Sequence, residues 1–168
     1  GTASTVTRTS GTSVLQMNEI TRNAGASLDF GAASIANTDT LNTNGILGAW
    51  ATINATDFAM NSTNGADGDI TAYNSYTDVA RLTPGTIADG STTNVRILEG
   101  SGSAGNITLG AATTTVNTLN QSVSGGTGGA TIDTASNTLQ TNGILVGTGA
   151  GDLTIGTNNL LINVDDAD

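Results

Sequence analysis

The chain has 168 residues, enough for one domain, and Gly (23), Thr (31), Asn (18) and Ser (13) make up about half of it. Fourteen acids stand against four Arg, with no Lys, His or Cys, for a net charge of −10. This balance excludes nucleic-acid binding through phosphates, zinc or disulfide frameworks, and thiol, imidazole or Schiff-base catalysis.

The same composition describes many short strands joined by tight turns. Thr is β-branched and favours strands, whereas Gly and Asn tolerate positive φ and favour turns. A disordered linker would be rich in Pro, and only Pro84 is present. No run of 18 apolar residues could span a bilayer as a helix. In chain order, the first strand signal is Ser13 to Met17. Its extension to Arg22 is too polar and β-branched for an amphipathic helix. Leu28-Asp29-Phe30-Gly31 follows, then Leu41-Asn42-Thr43-Asn44-Gly45-Ile46-Leu47.

Trp50 to Tyr76 breaks the pattern. It holds Trp50, Phe58, Tyr73 and Tyr76, four of the five aromatic residues, together with Asp57, Asp67 and Asp69. Alternation returns at Asp69 to Tyr73, Asp78 to Leu82, Val95 to Ile97, Ile107-Thr108-Leu109-Gly110 and Thr114 to Leu119. It continues at Ala130 to Asp133, Leu139-Gln140-Thr141-Asn142-Gly143-Ile144-Leu145, Leu153-Thr154-Ile155-Gly156 and Asn159 to Val164.

Two repeats stand out. Apolar-x-apolar-Gly recurs at 28–31, 107–110 and 153–156. The heptapeptide at 41–47 returns almost verbatim at 139–145. Pieces this short cannot bury a core as single hairpins, but stacked turns of a coil can. The reading is an all-β, right-handed parallel β-helix of about seven to eight turns of roughly 20–25 residues. At about 4.8 Å per turn it would be roughly 35–40 Å long. The alternative is an antiparallel sandwich, for which Asn44-Gly45, Asn64-Gly65 and Asn142-Gly143 would serve as hairpin turns. The expected organisation is one solenoid: N-terminal turns over 1–48, an irregular insertion over 49–93 and C-terminal turns over 94–168. The expected core is Leu28, Phe30, Ile46, Ile107, Leu109, Ile144, Leu153 and Ile155.

Several segments resemble one family. They are Thr21-Arg22-Asn23-Ala24-Gly25-Ala26 leading to Leu28-Asp29-Phe30, the run Asn42 to Thr52, Thr56-Asp57-Phe58-Ala59, and Gly143-Ile144-Leu145-Val146. Together they resemble bacterial proteins with autotransporter-associated β-strand repeats, notably the very long surface proteins of planctomycetes and verrucomicrobia. Where that family usually reads Gly-Gly-Trp and Thr-Asp-Trp, this chain reads Gly48-Ala49-Trp50 and Thr56-Asp57-Phe58. The resemblance implies a secreted or surface-displayed β-helical passenger region and assigns no catalytic residue; the expected role is a structural segment of a rod or fibre, with adhesion as a further option. The chain opens at Gly1 without Met and closes on Val164-Asp165-Asp166-Ala167-Asp168. It is therefore expected to be part of a longer chain or to stack head to tail, its partners being flanking turns or further copies.

Candidate chemistry is sparse. Glycosidic hydrolysis needs two carboxyls about 5–10 Å apart, for which Asp57, Asp67, Asp69 and Asp78 are the candidates. Asp67-Gly68-Asp69 reads more simply as a turn in which Asp bonds its own backbone. Asp67 and Asp69 could also be offered to calcium, which wants six to eight oxygens, more than this loop supplies. No cofactor, metal site or catalytic residue is assigned. Trp50, Tyr73 and Tyr76 are candidate glycan-stacking residues, the plainer reading being that they fill a gap where the insertion docks. A carbohydrate-binding module is thus the alternative to a purely structural segment, followed by a carboxylate-dependent polysaccharide-degrading β-helix.

Overall fold

Alternating Thr, Ile, Leu and Val, punctuated by Gly and Asn, fold into sixteen short strands in the computed structural model, which describes residues 2–122, 128–156 and 160–162. There is no helix among the described residues, and therefore none long and apolar enough to cross a membrane. The described residues divide into two compact units, one ending at Ser75 and the other beginning at Tyr76.

The first unit contains β1 (Ala3–Val6), β2 (Leu15–Gln16), β3 (Ser27–Phe30), β4 (Ala36–Thr38), β5 (Ala51–Ile53), β6 (Asp57–Asn61) and β7 (Gly68–Ala72). β1, β3 and β5 stack in parallel: Ala3 lies opposite Ser27, and Leu28 opposite Ala51. β2 and β4 form a second parallel pair, with Leu15 opposite Ala36. Each step therefore uses 21–24 residues, which is the coil geometry expected. The stack ends differently. β6 pairs antiparallel with β5, β7 with β6, and β4 with β7, giving the order β1-β3-β5-β6-β7-β4-β2.

The second unit contains β8 (Thr77–Leu82), β9 (Thr86–Ile87), β10 (Gly90–Gly100), β11 (Asn106–Leu109), β12 (Thr113–Gln121), β13 (Ala130–Asp133), β14 (Thr138–Val146), β15 (Leu153–Ile155) and β16 (Leu160–Ile162). Even-numbered strands form one parallel sheet, β16-β14-β12-β10-β8, and odd-numbered strands the other, β15-β13-β11-β9. The register step runs from 18 residues, Thr77 to Val95, to 26, Gly90 to Val116. This pairing is that of a β-solenoid and not of an antiparallel sandwich. Two coil steps are described in the first unit and four in the second, about six where length alone suggested seven or eight. Residues 57–72 are spent on the antiparallel pair instead of a further turn. Residues 77–93, expected within the irregular insertion, contribute β8, β9 and the first part of β10 to the parallel sheets.

The apolar-x-apolar-Gly repeat has one mechanical meaning at all three sites. Gly31, Gly110 and Gly156 each donate their N–H to a carbonyl on the preceding turn: Val6 at 2.9 Å, Ile87 at 2.8 Å and Ile132 at 2.9 Å. The chain leaves the strand so close to the turn beneath that a Cβ on Gly110 would sit 3.0 Å from the Ile87 oxygen.

The heptapeptide repeat behaves differently. At 43–46, Asn44 (φ 52°) and Gly45 (φ 88°) form a two-residue turn, closed by Thr43 N–H to Ile46 O at 2.7 Å and its reciprocal at 3.2 Å. The second copy lies inside β14, where Thr141 and Gly143 pair with Val116 and Thr118 of β12. Of the two Asn-Gly dipeptides that the sandwich alternative offered as hairpin turns here, Asn44-Gly45 is a tight turn and Asn142-Gly143 lies in strand. A neighbouring strand in register overrides the local turn preference.

Two apolar clusters hold the units. Phe30, Ile35, Ala36, Leu47, Ala51, Ile53, Ala59 and Ile70 fill the first, and Val79, Ile87, Val95, Ile97, Ile107, Leu109, Val116, Leu119, Ala130, Ile132 and Leu139 the second. Each fully buried Ile or Leu contributes about 1.5–3 kcal/mol. Of the expected core, Phe30, Ile46, Ile107 and Leu109 are buried, whereas Leu28, Ile144, Leu153 and Ile155 are half-buried against these clusters. Part of the expected strand over 159–164 lies outside the described residues.

Candidate functional site

The carboxylates were the only groups with catalytic potential, and several are engaged locally. Asp29 accepts from Thr52 Oγ1 and from Ala55 N, both at 2.7 Å, which holds the left-handed pair Asn54 and Ala55. Asp89 accepts from Thr115 N at 2.7 Å, and Asp133 from Ala135 N at 2.9 Å. Asp39 accepts from Asp67 N at 2.8 Å, and Asp67 in turn accepts from Gln16 Nε2. Asp67 has φ 55° at the corner before β7, but Gly68 and Asp69 are already strand, so only the first residue of Asp67-Gly68-Asp69 lies in the expected turn. Asp57 lies opposite Ile53 on β6, and Asp69 is exposed opposite Asn37 on β7. No three carboxylates converge on one point among the described residues. Backbone N–H groups at corners bond Asp29, Asp39, Asp89 and Asp133, as Asp commonly does in turns.

The candidate glycan-stacking residues take up separate duties. Trp50 is half-buried against the first unit's core, with its indole over Gly48. Gly48 has φ 143°, and a Cβ there would lie 2.3 Å from the indole Nε1. Tyr73 lies edge-on against the Asn44-Gly45 turn, and its hydroxyl donates to Ser75 O at 3.0 Å. Tyr76 belongs to the second unit. The Arg96 guanidinium sits 5.0 Å from its ring centroid, and Asn120 Nδ2 donates to its hydroxyl at 3.3 Å.

Arg96 also grips Asp78 with two bonds, Nε to Oδ1 at 2.9 Å and Nη2 to Oδ2 at 3.1 Å. Tyr76 and Asp78 stand at the start of β8, Arg96 on β10 and Asn120 on β12. The group is therefore a lateral clasp across three successive turns. Its ion pair is 25% and 42% exposed, so solvent screening limits it to about 1 kcal/mol or less. Arg81 pairs with Glu99 on the same two strands, β8 and β10.

The most developed polar feature is a stack of Asn, the small inward filling that suits a narrow coil, although the sequence alone did not single out its members. Asn142 Nδ2 donates to Asn117 Oδ1 at 3.0 Å, and Asn117 Nδ2 donates to Asn94 Oδ1 at 2.7 Å. Thr118 Oγ1 adds a bond to Asn94 Oδ1 at 2.7 Å. Asn94 and Asn117 are buried, so these amides exchange water for one another. The signal was a recurrence of Asn at intervals of one turn, invisible until the turn length is known. Asn117→Ala removes the middle rung and takes one partner from each neighbour. An expected loss of about 1–3 kcal/mol would be read as a lower urea midpoint by circular dichroism, and an unchanged midpoint would remove the ladder's structural role.

These polar groups cross-link turns and corners. Trp50, Tyr73 and Tyr76 are likewise tied to their immediate surroundings, and the carboxylates serve backbone donors. Comparison with protein-family models, curated proteins and solved structures finds no match for this chain.

Proposed function

We propose that this chain is a structural β-solenoid segment, secreted or displayed on a cell surface and contributing length to a rod or fibre. The observation that carries the reading is the second unit. There, two parallel sheets are joined turn upon turn by an apolar interior, an amide ladder and a lateral clasp. Side chains of every kind are committed to binding one turn to the next, which is the economy of a spacer. The turns are read as right-handed, the hand that parallel crossovers adopt. Low charge density, small residues and the absence of Cys from the sequence suit an extended coil that needs no disulfides. The resemblance to autotransporter-associated repeat proteins supports the surface location.

The test uses the native source. Antibodies raised against the folded chain should label intact cells or their shed material, and electron microscopy of that material should show labelled rods or fibres. Labelling confined to permeabilised cells would refute the surface role. In parallel, titration with surface polysaccharides should leave Trp50 emission unchanged. Saturable quenching would instead favour the carbohydrate-binding alternative.

A further inference from the structure

We propose that Asn64 is a self-modification site, its side-chain amide being converted to aspartate and isoaspartate through attack by the backbone nitrogen of Gly65. The inference is independent of the structural role proposed above.

The chain has three Asn-Gly pairs, at 44–45, 64–65 and 142–143. In each, the glycine carries no Cβ to hinder its nitrogen. Closing a ring onto the Asn Cγ also requires the peptide between the two residues to rotate, and the fold restrains two of the pairs. Asn44-Gly45 is closed by the Thr43–Ile46 bonds at 2.7 and 3.2 Å. The Tyr73 ring packs on the same turn, 2.8 Å from where a Cβ on Gly45 would stand. Asn142-Gly143 lies within β14 in register with β12, and the Asn142 amide donates to Asn117 Oδ1 at 3.0 Å.

Asn64-Gly65 is placed differently. It lies in the loop between β6 and β7, with Asn64 exposed. Asn64 Oδ1 accepts from the Asn42 backbone N–H at 2.6 Å. This oxygen takes the negative charge when Cγ is attacked, and a fixed N–H aimed at such an oxygen lowers the barrier. Asn42 is itself held in place, its side chain bonding the Asn61 backbone in both directions at 2.8 Å. Gly65 is anchored through its carbonyl, which accepts from Asn61 Nδ2 at 2.8 Å. A Cβ on Gly65 would meet nothing nearer than Thr63 Oγ1, at 3.9 Å.

Solvent hydroxide takes the Gly65 amide proton. The nitrogen then bonds to Asn64 Cγ and an electron pair moves onto Oδ1. The pair returns, the Cγ–Nδ2 bond breaks, and Nδ2 leaves as ammonia with a proton from water. Water opens the cyclic imide at either carbonyl, giving aspartate or isoaspartate. One water is consumed and one ammonia released. Either product adds a carboxylate to a loop that already carries Asp67. Isoaspartate also lengthens the main chain by one carbon, just where Gly65 is tied to Asn61.

The test is incubation of the folded chain at mildly alkaline pH, followed by peptide mapping by mass spectrometry and enzymatic methylation of isoaspartate. Asn64 should convert at least about tenfold faster than Asn44 or Asn142. In urea, where all three pairs lose their surroundings, the rates should converge. Gly65→Ala fits the open space at this position, so the circular dichroism spectrum should be unchanged. Its Cβ shields the attacking nitrogen, and conversion of Asn64 should slow about tenfold, with Asn44 and Asn142 unaffected. Equal rates at the three pairs in the folded chain, a faster Asn44 or Asn142, or undiminished conversion in Gly65→Ala would overturn the assignment.

Discussion

Ile107→Asp is expected to unfold the second unit. Ile107 is fully buried on β11 and lies opposite Ile132 of β13, which lies opposite Ile155 of β15. The three isoleucines form one column through the interior, so the substitution acts on the turns on either side as well as on its own. A carboxylate there has no cation at hand. Arg81 and Arg96, the second unit's two arginines, are held by Glu99 and Asp78. Leaving a charge unpaired in an apolar interior costs several kcal/mol, a large share of the roughly 5–15 kcal/mol that stabilises a domain. Loss of β signal in the far-ultraviolet spectrum at room temperature is the expected observation. Ile107→Val, which trims one methylene, should cost only about 0.5–1.5 kcal/mol. If the stability of the Asp variant stayed within about 1 kcal/mol of wild type, the column would not be the core it is described to be.

Asn61→Ala should open the seal of the first unit. The side chain is fully buried at the end of β6. Its Nδ2 donates to Thr38 O at 3.0 Å, Thr40 O at 2.9 Å and Gly65 O at 2.8 Å. Its Oδ1 accepts from Thr63 N at 3.1 Å, and Asn42 bonds the Asn61 backbone in both directions, at 2.8 Å each. One residue thus ties β6 to the corner after β4 and to the loop before β7. Truncation leaves several polar groups without this partner, and the expected loss is about 2–4 kcal/mol. Trp50, the sole tryptophan and part of the same unit, reports the transition by fluorescence in urea. Gly68→Ala should be at least as damaging, since its Cβ would fall 1.8 Å from Asn61 Oδ1. A Trp50 transition within about 0.5 kcal/mol of wild type for Asn61→Ala would show that the hairpin is held by something else.

The parallel coil was legible because period-two alternation and the terminal Gly of each short repeat are local consequences of stacking. The inward direction of Ile107, Leu109, Leu153 and Ile155 followed from their shared motif, although the register stacks Ile107 in one column with Ile155 and not with Leu153, and the bonds made by Gly110 and Gly156 explain why the motif ends as it does. What could not be read depends on neighbours. Leu41 to Leu47 differs from Leu139 to Leu145 only in Asn42 for Gln140, yet one copy turns on Asn44-Gly45 and the other is held straight by β12. Antiparallel closure by β6 and β7 was signalled by Asn64-Gly65, which lies in the loop between them, although Asp69 to Tyr73 alternates like any coil strand. Its direction is set by the strands on either side of it, through Asn37 of β4 and Met60 of β6 among others. Asn61 gave no sign of its role, since one Asn among 18 carries no mark of burial. The candidate aromatic residues were identifiable as a cluster in sequence, but their individual contacts were not.

The row Asn142, Asn117, Asn94 has a further property. Each amide gives its N–H to the one before it in the chain, so the side-chain dipoles all point one way along the stack. Backbone N–H groups of parallel strands point alternately up and down and nearly cancel. The side-chain row does not cancel. It makes an arrow out of a coil whose sheets are electrically almost symmetric. Every turn that continues the row lengthens the arrow, and a turn laid in the opposite sense would bring two N–H groups or two carbonyls together. Uncharged residues thus give the row a direction, in a molecule whose net charge of −10 carries no directional information.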